Sequence, residues 1–171
     1  LEEELADFHK KEKALIFTSA YNANQTTLET LGKIIPDLLY ISDSLNHSSL
    51  IQGIRHSRCK KEIFKHNDVE DLERILKSYE GPKCVVFESV YSMDGDIGPV
   101  KEINELAKKY NAITFLDEVH AVGLYGQEGA GICERDNVEV DIINGTLAKA
   151  FGVQGGYIAG KKDFIDAIRS L

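Results

Sequence analysis

The stretch Ile113-Thr114-Phe115-Leu116-Asp117-Glu118-Val119-His120 decides how the chain is read. An apolar run rich in β-branched and aromatic residues reads as a buried strand, and the acids that close it mark the point where that strand emerges. Strand alternation puts Asp117 and Val119 on one face, with His120 just beyond the end. On either side the pattern repeats. Further strands are expected at Ala14 to Phe17, Leu38 to Ser42, Glu62 to Lys65, Cys84 to Glu88, Asp141 to Asn144 and Gly156 to Gly160. Helical periodicity falls between them, at Asn22 to Ile34, Ser48 to Ser57, Val69 to Tyr79 and Val100 to Tyr110, with a last helix from Asp163 and a charged helical pattern at the start. Strands alternating with helices predict an α/β domain with a central, mostly parallel sheet of about seven strands and helices on both faces. Ala121 to Glu139, with four glycines, is expected to be irregular.

In such sheets ligands gather at the carboxyl ends of the strands. Four polar segments follow expected strand ends: Thr18 to Tyr21, Glu88 to Asp94, Asp117 to His120 and Gly145 to Lys149. Each alone has a plain structural reading as a turn, a cap or a satisfied side chain; their convergence on one edge points to a site.

Composition narrows the class. A formal charge of -8 disfavours binding along a nucleic-acid backbone, which rewards clustered Lys and Arg. No apolar run approaches a membrane span. Cys59, Cys84 and Cys133 have neither disulfide-framework nor zinc spacing. A reducing, cytoplasmic compartment is therefore expected, and no metal. The absence of an initiator Met and the helical patterns at both ends suggest a fragment of a longer protein.

The segments carry specific chemistry. Asp117 is placed to hold a proton on a heteroaromatic nitrogen, with Val119 against the ring and His120 reaching a ring substituent. Lys149, in Gly145-Thr146-Leu147-Ala148-Lys149-Ala150-Phe151-Gly152, has small neighbours and an apolar setting, so it is expected to be partly desolvated and nucleophilic. Thr146 shares its turn. His47 lies at the mouth of a helix that Asn46 or Ser48 would cap, where an imidazole can lie flat on an aromatic ring. Thr18 to Tyr21 joins a strand to a helix start, a natural phosphate site. A strand ending in Asp-Glu-x-His is also the magnesium box of some nucleic-acid-dependent ATPases. That alternative lacks its partner: Gly32-Lys33 is followed by Ile34 and has no phosphate-loop glycine before it, and Gly160-Lys161 is followed by Lys162 rather than Ser or Thr.

Together, Ser92-Met93-Asp94-Gly95, Asp117 through Gly123 and Gly145 through Gly152 resemble the α-oxoamine synthases, fold-type-I pyridoxal-phosphate enzymes that condense an amino acid with an acyl-CoA. Within that family the likeness is nearest to members that join glycine to succinyl-CoA, through Phe17 to Asn24, Asp117 to Gly126 and Gly129 to Asp136. Sister synthases such as 2-amino-3-ketobutyrate CoA ligase and 8-amino-7-oxononanoate synthase are the alternative. The resemblance implies a three-layer α/β/α large domain, of which residues 1–171 would be the core. It implies pyridoxal 5'-phosphate held as a Schiff base on Lys149, Asp117 at the pyridine nitrogen, and His120 with Ser92 at the phenolic oxygen. His47 and Val119 would take opposite ring faces, and Thr146, Ser19, Ala20 and Tyr21 the phosphate. Lys149, His47, Asp117 and His120 are thus the expected catalytic set, with Glu88 and Asn24 expected to face substrate. A homodimer is implied as well. Ala148 replaces the family's usual Gly, and Tyr91 stands where His is common, from which it would stack or donate. Residues 1–171 would then leave out the family's N-terminal segment and small C-terminal domain, so the chain alone is expected to bind cofactor weakly and not to turn over.

Overall fold

Most of the strands form from apolar runs whose two faces are both covered, and the exception is the exposed strand at one end of the sheet, Lys60–Phe64. In the computed structural model, which describes residues 1–171, the strands are β1 (Lys13–Phe17), β2 (Leu39–Asp43), β3 (Lys60–Phe64), β4 (Lys83–Glu88), β5 (Ala112–Asp117), β6 (Ile142–Thr146) and β7 (Gly156–Gly160). They form one sheet in the order β1-β7-β6-β5-β4-β2-β3, in which β7 alone runs against its neighbours. The expected layered α/β domain is borne out, with boundaries shifted by a residue or two.

The helices are α1 (Glu2–Phe8), α2 (Ala20–Ile34), α3 (Ser48–Ser57), α4 (Val69–Ser78), α5 (Val100–Lys109), α6 (Ile132–Asp136) and α7 (Lys162–Ser170). Alternation along the strands divides the core in two. Tyr40, Val86, Phe115, Ile142 and Ile158 face α2, α3 and α7 through Leu28, Leu31, Leu50, Ile54, Ile165 and Ile168. Ile41, Val85, Phe87, Leu116 and Ile143 turn the other way, onto Leu72, Ile75, Val100, Ile103 and Ile132 of α4, α5 and α6. Helix α1 covers the same face at Tyr157 and Ala159.

Two glycines set how closely α2 packs. A Cβ on Gly53 of α3 would lie 2.9 Å from the Leu28 Cβ and 3.1 Å from the Asn24 carbonyl. One on Gly156 of β7 would lie 2.1 Å from the Ala20 nitrogen. The first turn of α2 therefore rests directly on the sheet edge.

Helix α6 lies inside the segment expected to be irregular. It is five residues long and has no side-chain cap of its own, so nothing local announces it. Its start is held from a distance: Glu118, fully buried, accepts from the backbone N–H groups of Ile132 (3.1 Å) and Cys133 (2.8 Å) and from the Ser89 hydroxyl. Burial pushes this carboxyl up, while the donors around it oppose the shift. Glu118→Ala leaves these buried donors unpaired and is expected to cost about 3 kcal/mol, read as a lowered denaturant midpoint at unchanged slope.

Candidate functional site

The carboxyl ends of β4, β5 and β6 place Glu88, Asp117 and Asn144 in register, side by side, on the face that α2 and α3 cover. All three are buried. Above them Asn24 of α2, itself buried, donates from Nδ2 to Asp117 Oδ2 at 2.6 Å and to Ser49 Oγ at 3.0 Å. Asn144 Nδ2 reaches the same Asp117 oxygen at 3.3 Å, and the Val119 N–H donates to Oδ1 at 2.9 Å. Burial raises the Asp117 carboxyl above its ordinary range, and the donors from Asn24 and Val119 pull it back. The result is a desolvated acid, fixed in orientation and facing a cavity.

That cavity has a volume of about 350 Å³ and is bounded at one end by Ser19, Ala20 and Tyr21. Ser19 is the N-cap of α2, with its hydroxyl accepting from the Asn22 N–H at 3.1 Å. The N–H groups of Ala20 and Tyr21, in the first turn, have no acceptor within the helix and leave a partial positive charge there. At the side, His47 caps α3 through its own ring: Nδ1 accepts from the Ser49 N–H at 3.2 Å. The capping expected of Asn46 or Ser48 is therefore corrected. Asn46 is buried and spends its amide on Ser42 Oγ and the Val86 carbonyl. Tyr21 meets the His47 ring edge-on at 6.1 Å.

His120, also on the wall, is half-buried, and burial together with the neighbouring Lys149 ammonium holds its imidazole below the ordinary value. Thr146 is buried; its hydroxyl donates to the Gly155 carbonyl at 3.3 Å and accepts from the Ala148 N–H at 3.1 Å. Lys149 lines the cavity. Its expected desolvation is not found: Ala148, Lys149 and Ala150 are all exposed, because the turn after β6 projects beyond the sheet.

The structure places all twelve residues singled out from the sequence on this one cavity: Ser19, Ala20, Tyr21, Asn24, His47, Glu88, Ser92, Asp117, Val119, His120, Thr146 and Lys149. Tyr91 is the neighbour that does not join them. It is 2% exposed, accepts the Glu88 N–H at 3.2 Å and packs edge-on against His66 at 4.4 Å, so it neither stacks nor donates into the cavity. Two lining side chains escaped the sequence reading. Ser49 carries a faint signal as a small polar residue in the first turn of α3. Gln154 carries none, because only the path of the turn after Lys149 brings it to the wall.

The set has the groups that a phosphorylated pyridine ring requires: an anion-favouring helix start, a buried acid and an amine on one cavity wall. The model for the aminotransferase class I and II family matches residues 1–171, and the chain belongs to that family. It is 57% identical, over 99% of its length, to the 5-aminolevulinate synthases of Bradyrhizobium diazoefficiens and Rickettsia prowazekii. Serine palmitoyltransferase from S. paucimobilis, solved with bound PLP and myriocin, is similar at a TM-score of 0.92 and 35% identity over 99% of this chain and 43% of that one. For the 8-amino-7-oxononanoate synthase of Francisella tularensis the values are 0.85, 27%, 99% and 49%. The motif resemblance and the fold-type-I architecture are thereby borne out. The chain spans 42% of the length of those two 5-aminolevulinate synthases. No helix is long and apolar enough to cross a membrane.

The ATPase alternative falls on geometry as well as on family. A magnesium box needs its two acids together, whereas Asp117 enters the cavity and Glu118 turns to the opposite face of the sheet, against α6.

Proposed function

We propose that this chain is the cofactor-binding core of the large domain of a pyridoxal-phosphate-dependent acyltransferase. The reaction would join glycine to succinyl-CoA and release 5-aminolevulinate, CoA and carbon dioxide. One observation carries the reading above the rest: Asp117, buried and oriented by three donors, shares a cavity with Lys149 and with a helix start suited to phosphate. Pyridoxal phosphate, when bound, supplies an electron sink for carbanion chemistry at an amino-acid α-carbon.

The protein's part is to bind, orient and move protons. The α2 N-terminus, with Ser19, Ala20 and Tyr21, would hold the phosphate, and Thr146 would support it from the β6 edge. Asp117 would keep a proton on the ring nitrogen. Asn24 has its amide nitrogen committed to Asp117 and Ser49 and would orient that acid, while its Oδ1 has no partner within the chain. His47 and Val119 would confine the ring from its two faces, and His120 with Ser92 would bond the ring oxygen. Lys149 would hold the cofactor by its amine and shuttle a proton at the glycine α-carbon. Its exposed position gives the side chain room to swing between these tasks.

Homology in name supports glycine and succinyl-CoA as substrates, and a homodimeric, cytoplasmic enzyme of bacterial type is the form we adopt. The test is made on a longer polypeptide that includes the regions the relatives have beyond this chain. Supplied with each acyl-CoA and with glycine or alanine, it should form product only from glycine and succinyl-CoA; preference for acetyl- or pimeloyl-CoA would move it to a sister synthase. The purified 171-residue chain is expected to yield no aminolevulinate. In the longer polypeptide, Asp117→Asn should keep the fold but lower turnover on the order of a hundredfold, because a neutral amide cannot stabilise a protonated ring nitrogen.

A further inference from the structure

Glu88 is the one carboxyl group on the cavity wall that the reading above leaves without a task. It is 2% exposed and lies in register beside Asp117 on the next strand. Its Oε1 accepts the backbone N–H of His47 at 2.5 Å, and Oε2 takes no protein donor although the residue lines the cavity. Asp117, by contrast, receives three donors.

Two buried acids side by side at the ends of neighbouring strands do not readily both ionise, since each charge repels the other where burial weakens screening by water. The negative charge settles on the acid with more donors. We propose that Glu88 is a positioning residue that works as a neutral carboxylic acid: Oε1 anchors the His47 backbone and so fixes the α3 start, while Asp117 remains the only ionised acid on that wall.

The surroundings agree. Burial first and Asp117 second push the Glu88 carboxyl from its ordinary 4.5 up to about 8, with the His47 N–H opposing, Asp43 of β2 adding to the shift and His66 beyond β3 opposing it. The sign for stability follows. The folded chain keeps this proton to about pH 8, whereas the unfolded chain releases it near 4.5. Stability from this group is therefore full below pH 4.5 and is lost as pH rises to about 8.

Protonation can be tested without cofactor; only its consequence for binding rests on the pyridoxal-phosphate reading. Carbon NMR of the chain labelled at its glutamate carboxyls should show one resonance that titrates near pH 8 and is missing from Glu88→Gln. The melting temperature of Glu88→Gln should rise relative to wild type between pH 5 and 8 and hold a constant difference above that. A Glu88 resonance titrating near 4.5, with parallel melting profiles, overturns the proposal. In the second arm, pyridoxal phosphate is titrated by absorbance. Glu88→Ala should bind about tenfold more weakly at pH 7, for one lost hydrogen bond; Glu88→Gln should recover most of that and exceed wild type above pH 8.5. Equal losses in the Ala and Gln variants at pH 7 also overturn the proposal. A wild-type chain with no absorbance change counts against the cofactor reading instead, and the NMR arm still decides the state of Glu88.

Discussion

Lys149→Ala is expected to remove the visible absorbance change that pyridoxal phosphate undergoes on addition to the native chain. Lys149 is the lysine on the cavity wall, on the exposed turn after β6. The phosphate end, Asp117 and the two ring faces are untouched by the substitution, so non-covalent affinity falls much less than the spectral change. Dialysis of the longer polypeptide separates the two: with Lys149 in place it retains cofactor, and the Lys149→Ala variant releases it. Because the Lys149 side chain is exposed and makes no hydrogen bond or ion pair within the chain, stability should change by less than about 0.5 kcal/mol. A visible band that survives the substitution removes Lys149 from its role. A band lost together with the fold would mean that the side chain supports structure.

The largest effect on stability is expected at Gly156. Its missing side chain is what lets β7 touch the first turn of α2: an added Cβ would meet the Ala20 nitrogen at 2.1 Å and the Ala20 Cα at 2.4 Å. These are backbone atoms in a helix packed on both the sheet and α3, with no rotamer to yield. Gly156→Val should therefore cost about 3 kcal/mol or more and move the N–H groups of Ala20 and Tyr21 off the cavity. Two measurements follow in parallel: a lower denaturant midpoint, and weaker affinity for inorganic phosphate or pyridoxal phosphate in the molecules that stay folded. Gly152→Ala is the control. Its Cβ would meet nothing within 4 Å, although φ there is +70°, so the cost is backbone strain alone. If Gly156→Val melted like wild type, the close approach of α2 would not be what sets the phosphate end.

Much of this site is legible in the sequence. Asp117 could be read because a buried strand that ends in an acid is chemically unusual, and Thr18 to Tyr21 because a strand-to-helix junction with free N–H groups is an anion site by construction. Lys149 could be read only as a member of a motif; its exposure was misjudged, since apolar neighbours in sequence do not bury a residue whose turn projects beyond the sheet. Helix α6 was missed because the carboxylate that starts it lies 14 residues away from Ile132, on Glu118. Tyr91 looked like a ring partner by position, yet the loop after β4 turns its ring inward onto His66.

By itself the sequence determined the local structure and the chemistry of the wall. Period-two and helical apolar patterns specify strands and helices through burial alone, and the order of motifs carries the family. Tertiary structure decided which polar atoms face one another: the row of Glu88, Asp117 and Asn144, the Asn24 amide above it, and the pairing of Glu88 with the His47 N–H. Strand order and helix approach across the sheet bring together residues far apart in the chain, and hydrogen bonds and charge repulsion depend on that distance in space.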